Sequence, residues 1–138
     1  MTEEQTSFRC QVLTLQGTAL ACEAVSVVYP ALDGLAGVLG RAGPVTAVLG
    51  AGPLAVRKAG GERVAFFVAG GFARIRDDVA TILADECVPA GRLDAAGARK
   101  QLQAALAQPA RTDEQVEARQ RALQVARARL RLAERSSS

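Results

Sequence analysis

The chain has no histidine and no tryptophan, and it carries only four phenylalanines and one tyrosine among 138 residues. Without histidine it lacks the commonest general base and the commonest metal ligand. With so few aromatics, any core must be built from Val, Leu, Ile and Ala, and there is no stacking platform for nucleic acid. Cysteine is scarce as well: Cys10, Cys22 and Cys87. An odd number without Cys-x-x-Cys spacing argues against a disulfide framework and against a zinc site. Cys10 and Cys22 fall in apolar strand patterns, where the thiol is expected to act as a small buried hydrophobe in a reducing compartment. No apolar run is long enough to cross a bilayer, since Asp33, Arg41 and several glycines break the longest candidate. Met1 to Ser7 is polar and acidic, so no signal peptide is expected.

What is present is ordinary for a folded protein. Apolar residues make up 49% of the chain, enough for one domain or a small domain plus an appendage. The net charge of +3 is too small to argue for a polyanion partner. Its distribution is uneven, with seven arginines between Arg111 and Arg135.

Alternating apolar residues at Phe8, Cys10 and Val12, and an apolar run from Leu20 to Tyr29, predict half-buried strands joined at Gln16-Gly17. Pro30 to Gly43 is glycine-rich and is expected to be loop or bulged strand. Further strands are predicted at 45–49, 54–58, 63–68, 73–76 and 79–83. Gly60-Gly61 and Asp77-Asp78 supply turns between the later ones. Many short strands with turn signals between them predict a β-sandwich or barrel. Past Pro89-Ala-Gly91 the period changes. Asp94 can cap a helix with an apolar face of Ala95, Ala98, Leu102, Ala105 and Leu106, stopped by Pro109. Thr112-Asp-Glu-Gln115 is a capping box for a second helix reaching about Arg135. Val116, Leu123, Ala126, Leu130 and Ala133 form a narrow seam on it, which suits one partner helix and predicts an antiparallel hairpin. The fold class is therefore β plus α: a β-sandwich over residues 1–88, then a two-helix hairpin over 89–138. Alanine buries little area, so the hairpin is expected to be held weakly.

Three chemical signals need weighing. Val48-Leu-Gly-Ala-Gly-Pro-Leu-Ala55 imitates a dinucleotide-binding turn, which would make the chain a small dinucleotide-dependent enzyme built on Gly50 to Ala55. The context opposes this, because Gly60-Gly61 leave no room for the helix and no acid follows to hold a ribose. The simpler expectation is that Gly50 and Gly52 shape a turn between strands. Asp77-Asp78 could be a carboxylate pair for a metal, but without a third ligand it reads as a polar turn. Arg127, Arg131 and Arg135 stand at i, i+4 and i+8 on one helical face, either as a plain solvated face or as a contact for an acidic partner. No constellation points to catalysis, and no metal or cofactor is expected.

One ungapped stretch carries a resemblance. It opens with Gly34-Leu-Ala-Gly37-Val-Leu, passes through Pro44 and Gly52, and closes with Gly70-Gly-Phe-Ala-Arg-Ile-Arg-Asp-Asp-Val-Ala-Thr-Ile-Leu-Ala84. These blocks resemble the epsilon subunit of F-type ATP synthases, which reads Gly-x-x-Gly-Ile-Leu, then Pro, then Gly, then Gly-Gly-Phe followed by Val-Thr-Ile-Leu-Ala at matching distances. The resemblance implies an N-terminal β-sandwich that contacts the gamma subunit and the c-ring, and a C-terminal helical hairpin that acts as a regulatory arm. It implies a non-catalytic rotor subunit of a proton- or sodium-translocating synthase, coupling the c-ring to gamma. In the family the arm can extend toward the catalytic alpha/beta subunits and brake ATP hydrolysis, a contact here assigned to Arg127, Arg131 and Arg135. It further implies a peripheral position on the cytoplasmic face of a bacterial inner membrane, touching the membrane only indirectly, with no nucleic acid as partner. Three departures from the family pattern matter. Ala42 replaces a frequent His, and Leu35 replaces a frequent acid, leaving Asp33 and Arg41 as candidates for polar contact with the c-ring. In the Leu/Ile-Asp-x-x-Arg-Ala motif through which some members bind ATP, Asp94 is retained but Gly97 stands in place of the Arg, so weak or absent ATP binding is expected.

Overall fold

The computed structural model describes residues 7–39 and 44–136. Its contacts divide the chain after Cys87 into two compact units.

The first unit holds seven strands: β1 (Phe8–Thr14), β2 (Gly17–Ala31), β3 (Gly34–Leu39), β4 (Val45–Val48), β5 (Ala51–Lys58), β6 (Arg63–Arg76) and β7 (Val79–Pro89). Spatial order is β1-β7-β6-β5-β2-β3, with β4 on β6, and β1 also pairs with β2, so the sheet closes on itself. β1 lies parallel to β7 and antiparallel to β2. Closure pairs β1, β7, β6, β5 and β2 on both sides and leaves β3 and β4 at the margins.

Two long strands make this closure. β2 pairs with β1 along its first half and with β3 and β5 along its second. β6 pairs with β5 over Arg63–Ala69 and with β4 over Phe72–Ile75. Each changes parity half-way. On β2 the residues packed into or against the core are Leu20, Cys22 and Ala24, then Val27 and Tyr29. On β6 they are Phe66 and Val68, then Ala73 and Ile75. An extended strand keeps one parity per face, so each switch requires a bulge. β2 shifts register between Ala24 and Ser26. β6 bends at Gly70 and Gly71, whose φ values are +75° and +106°. A side chain at Gly71 would run into the Leu83 carbonyl oxygen, so the close approach of β7 also demands glycine there.

This corrects the expectation of separate strands at 63–68 and 73–76: one strand continues through the glycine pair. Of the stretch 30–43, expected to be loop or bulged strand, residues 40–43 lie outside the described residues and 30–39 are mostly strand. Pro30 and Ala31 end β2, Leu32-Asp33 form a tight turn and β3 follows. Gly50 and Gly52 do not shape a turn; Gly52 lies inside β5, and a Cβ there would sit 3.1 Å from the Pro30 side chain. The Asp77-Asp78 turn forms as expected, both residues adopting positive φ (53° and 61°). The core gathers Phe8, Cys10, Val12, Tyr29, Leu54, Val56, Phe66 and Ile82 with smaller residues, as binary alternation requires.

The second unit begins with one turn of 3-10 helix at Ala90–Arg92, followed by α1 (Ala95–Leu106) and α2 (Asp113–Ser136). Asp94 caps α1 by accepting from the amides of Ala96 (3.2 Å) and Gly97 (3.1 Å). At α2 the capping box is complete: Thr112 Oγ1 accepts from Gln115 N at 3.1 Å, and Gln115 Oε1 accepts from Thr112 N at 3.2 Å. Gln115 Oε1 also accepts from Arg111 N. The helices pack through Ala105, Leu123 and Ala126, with Leu102 and Ala122 at the margin. Two residues expected on the seam stay outside it, Leu106 at 41% and Val116 at 38% exposure. Leu106 is the last residue of α1 and Val116 lies in the first turn of α2, where the hairpin opens into its loop.

Candidate functional site

The candidate site consists of surfaces, because the described residues offer no catalytic constellation. Among them, no group of three or more His, Cys, Asp or Glu side chains could hold a metal ion. Among the described residues, no helix is long and apolar enough to cross a membrane. The dinucleotide reading of Gly50 to Ala55 is overturned: β5 starts at Ala51 and includes Gly52, paired antiparallel to β2 and β6, where a phosphate-binding turn would need a helix N-terminus.

The first surface is the tip of the β2–β3 hairpin. The turn is held at its base by the Ala31–Leu49 bridge and by Gly50 N donating to Pro30 O at 2.9 Å. Gly34 follows with φ +130°, a value that releases the chain from the turn into β3. Asp33 is exposed here, flanked by Leu32 (73%) and Leu35 (63%). The carboxylate thus stands on an apolar tip, and leucines this exposed mark a place where another surface can dock. Arg41, the second candidate for the c-ring contact, lies outside the described residues.

The second surface is the outward face of β4 and β6. Val48 stands opposite Phe72, and Thr46 opposite Arg74. Val48 is 58% and Phe72 43% exposed. Phe72, Arg74 and Arg76 alternate along β6 and so share this face. An open groove of about 390 Å³ lies at the end of the pairing, lined by Pro44, Val45, Thr46, Arg74, Ile75 and Arg76. Sequence reading missed this surface, since it exists only once β4 is laid against β6.

The third is on α2. Arg127, Arg131 and Arg135 are all exposed and follow one another at one-turn spacing, which keeps them on one stripe. At the start of α1, the Asp94 carboxylate is committed to the helix cap, and a Cβ on Gly97 would lie 3.1 Å from Asp94 Oδ2.

The cysteines are all free thiols. Cys10 is buried, as expected, and burial pushes its pKa up to about 12. Cys22, directly opposite it across the β1–β2 ladder, is half-buried and packs against the same core. Burial also raises the pKa values of Cys22 and Cys87. None is an activated thiolate.

Residues 7–90 match the family model for the ATP synthase delta/epsilon chain, beta-sandwich domain. The chain belongs to that family. It is 40% identical over 126 residues to the ATP synthase epsilon chain of Rhodopirellula baltica, covering 91% of this chain and 97% of that one. It is 30% identical over 130 residues to the sodium ion specific ATP synthase epsilon chain of Propionigenium modestum, covering 93% and 94%. Among solved structures, a chain of the Euglena gracilis mitochondrial ATP synthase superposes with a TM-score of 0.76 at 23% identity, over 93% of this chain and 81% of that one. A chain from the central stalk and c-ring of the Tetrahymena thermophila mitochondrial ATP synthase superposes with a TM-score of 0.75 at 14% identity, over 95% and 99%. At those identities the superpositions speak for the fold: a β-sandwich followed by two helices.

Proposed function

We propose that this chain is the epsilon subunit of a rotary F-type ATP synthase and works as a non-catalytic part of the rotor, coupling the c-ring to gamma. The β unit, residues 1–88, is the adhesive body, and the helical unit, 89–138, is the regulatory arm. The observation that carries the reading is the pairing of a closed β core, whose exposed tip and outer face bear uncovered leucine, valine and phenylalanine, with a hairpin packed mainly through alanine. A coupler has to transmit torque through a rigid body with docking faces, and close packing supplies that rigidity. A brake needs an element with two arrangements separated by a small free-energy gap, and an alanine seam keeps the gap small.

In this reading Leu32, Asp33 and Leu35 meet the c-ring, and Arg41 is the second polar candidate for that contact. Arg127, Arg131 and Arg135 meet acidic segments of the catalytic alpha/beta subunits when the arm extends, a contact that salt weakens. The subunit sits peripherally on the cytoplasmic face of a bacterial inner membrane. The transported ion is a proton or sodium, both of which fit the reading; a relative whose name specifies sodium is 30% identical. ATP binding by the arm is weak, because Gly97 brings no guanidinium and Asp94 is occupied by backbone amides.

The test is ATP hydrolysis by the parent complex carrying either the whole chain or a form ending at Val88. Faster hydrolysis with the shortened subunit still bound establishes the arm as a brake. Equal rates with both forms bound would refute the brake and leave the coupling role.

A further inference from the structure

Two of the three thiols face each other across a strand pair. Cys10 on β1 and Cys22 on β2 are direct partners in the antiparallel ladder. Residues so opposed point to the same face, with Cα atoms about 4.5 or 5.5 Å apart according to whether the pair exchanges hydrogen bonds. Both spacings fall within the roughly 4.4–6.8 Å that a disulfide spans. Burial puts both thiols on the inner face: Phe8, Cys10 and Val12 lie in the core, and Ala24, Cys22 and Leu20 opposite them pack into it or against it. The ladder is regular from Phe8 to Val12, and its register shift comes only after Val12. Cys10 also feels its neighbour electrically, since burial first and the charge on Cys22 second raise its pKa. The third thiol is remote from this pair. Ala80 is the residue of β7 beside Cys10, and Cys87 lies further along that strand by roughly 20 Å.

We propose that Cys10 and Cys22 are a redox-responsive dithiol that closes to an intrachain disulfide when the chain meets a low-molecular-weight disulfide such as glutathione disulfide. The proposal stands on the β1–β2 register and needs nothing from the rotor reading. The two thiols have different tasks. Cys10 is buried and Cys22 half-buried, so Cys22 is the one a reagent reaches. Burial raises the Cys22 pKa, and the nearby Lys58 ammonium works against that rise, keeping a thiolate fraction for attack. The Cys22 thiolate attacks one sulfur of glutathione disulfide. That S–S bond breaks, and one glutathione leaves as a thiolate that takes up the proton Cys22 lost. The Cys10 sulfur then attacks the Cys22 sulfur of the mixed disulfide, and the second glutathione leaves with the Cys10 proton. Two protein thiols are thus oxidised to one disulfide, and one glutathione disulfide is reduced to two thiols. The new bond falls on the pairing that closes the sheet, because β1 joins β7 on one side to β2 on the other. It is a staple on that closure, removed again by excess thiol.

The experiment incubates the folded full chain with glutathione disulfide, without denaturant, and maps its peptides by mass before and after adding dithiothreitol. The expected product is a Cys10–Cys22 linked pair of peptides, lighter by two hydrogens, that dithiothreitol separates. Cys87→Ser should form the same link to the same extent. Cys10→Ala, checked by circular dichroism for an unchanged fold, should stop at glutathione bound to Cys22, which locates the first attack. In urea unfolding the linked chain should show a midpoint higher by roughly 1 M, since the bond constrains the unfolded chain. Glutathione accumulating on Cys22 of the unmodified chain with no link to Cys10 would overturn the proposal. So would a link formed only in urea, a link to Cys87 in place of Cys22, or no reaction at all. A midpoint unchanged or lowered by the link would overturn the staple.

Discussion

Gly71→Ala should be the most damaging single substitution in the β unit for its size. Two costs combine. Gly71 has φ +106°, a region that L side chains rarely adopt and that costs about 1–3 kcal/mol. The added Cβ would also meet the Leu83 carbonyl oxygen, which is backbone and cannot rotate away. Relief requires β6 and β7 to separate at the bend where β6 changes parity, loosening the inward packing of Phe66, Val68, Ala73 and Ile75. The total should be about 3–5 kcal/mol, a large share of the roughly 5–15 kcal/mol by which such domains are stable. Gly60→Ala is the control, since a Cβ there meets nothing within 4 Å and φ is not positive. Urea unfolding followed by the fluorescence of Tyr29, the single tyrosine, buried in the β core, measures both variants. A loss below about 1 kcal/mol for Gly71→Ala, or equal losses at the two positions, would refute the bulge argument.

Other outcomes follow from the same geometry. The Cys10 thiol ionises near its ordinary 9.0 when unfolded and at about 12 when folded. Between those values the unfolded chain has lost a proton that the folded one keeps, so stability is full below pH 9 and declines as pH rises toward 12, by up to ~4 kcal/mol. Cys10→Ala should flatten this alkaline decline in urea unfolding followed by circular dichroism; an unchanged slope would contradict the assignment. Thr112→Ala removes the hydroxyl that accepts from Gln115 N and should cost about 1 kcal/mol. Hydrogen exchange at residues 113–116 should accelerate several-fold, and unchanged protection would show the box to be idle. An alkylating reagent should modify Cys22 and Cys87 well before Cys10, as measured by peptide mass mapping.

Sequence alone revealed most where the determinants are local. The Asp94 cap and the Thr112–Gln115 box are complete within four residues, and both form. Alternation placed Phe8, Cys10 and Val12 in the core for the same reason. It failed where glycine carries two meanings. Gly70-Gly71 falls between the strands expected at 63–68 and 73–76, yet it bends one continuous strand; the cue was the change from even to odd positions between Phe66, Val68 and Ala73, Ile75. Gly34 and Gly37 left loop and bulged strand both open for this stretch, and pairing with β2 supplies the strand order that local propensity withholds. Asp33 was found as an exposed acid, but the leucines beside it gained meaning only from their exposure. The face formed by Val48, Phe72 and Arg74 could not be read at all, since Val48 lies more than twenty positions from the other two and is brought to them only by the β4–β6 ladder.

The most direct test of the rotor assignment is add-back. Membrane vesicles carrying a synthase stripped of its epsilon subunit are supplied with the whole chain, and ATP-driven ion uptake is followed alongside hydrolysis. The account predicts that the chain binds and restores ion uptake per ATP hydrolysed. Binding without any recovery of coupled transport, or no binding at all, would contradict it.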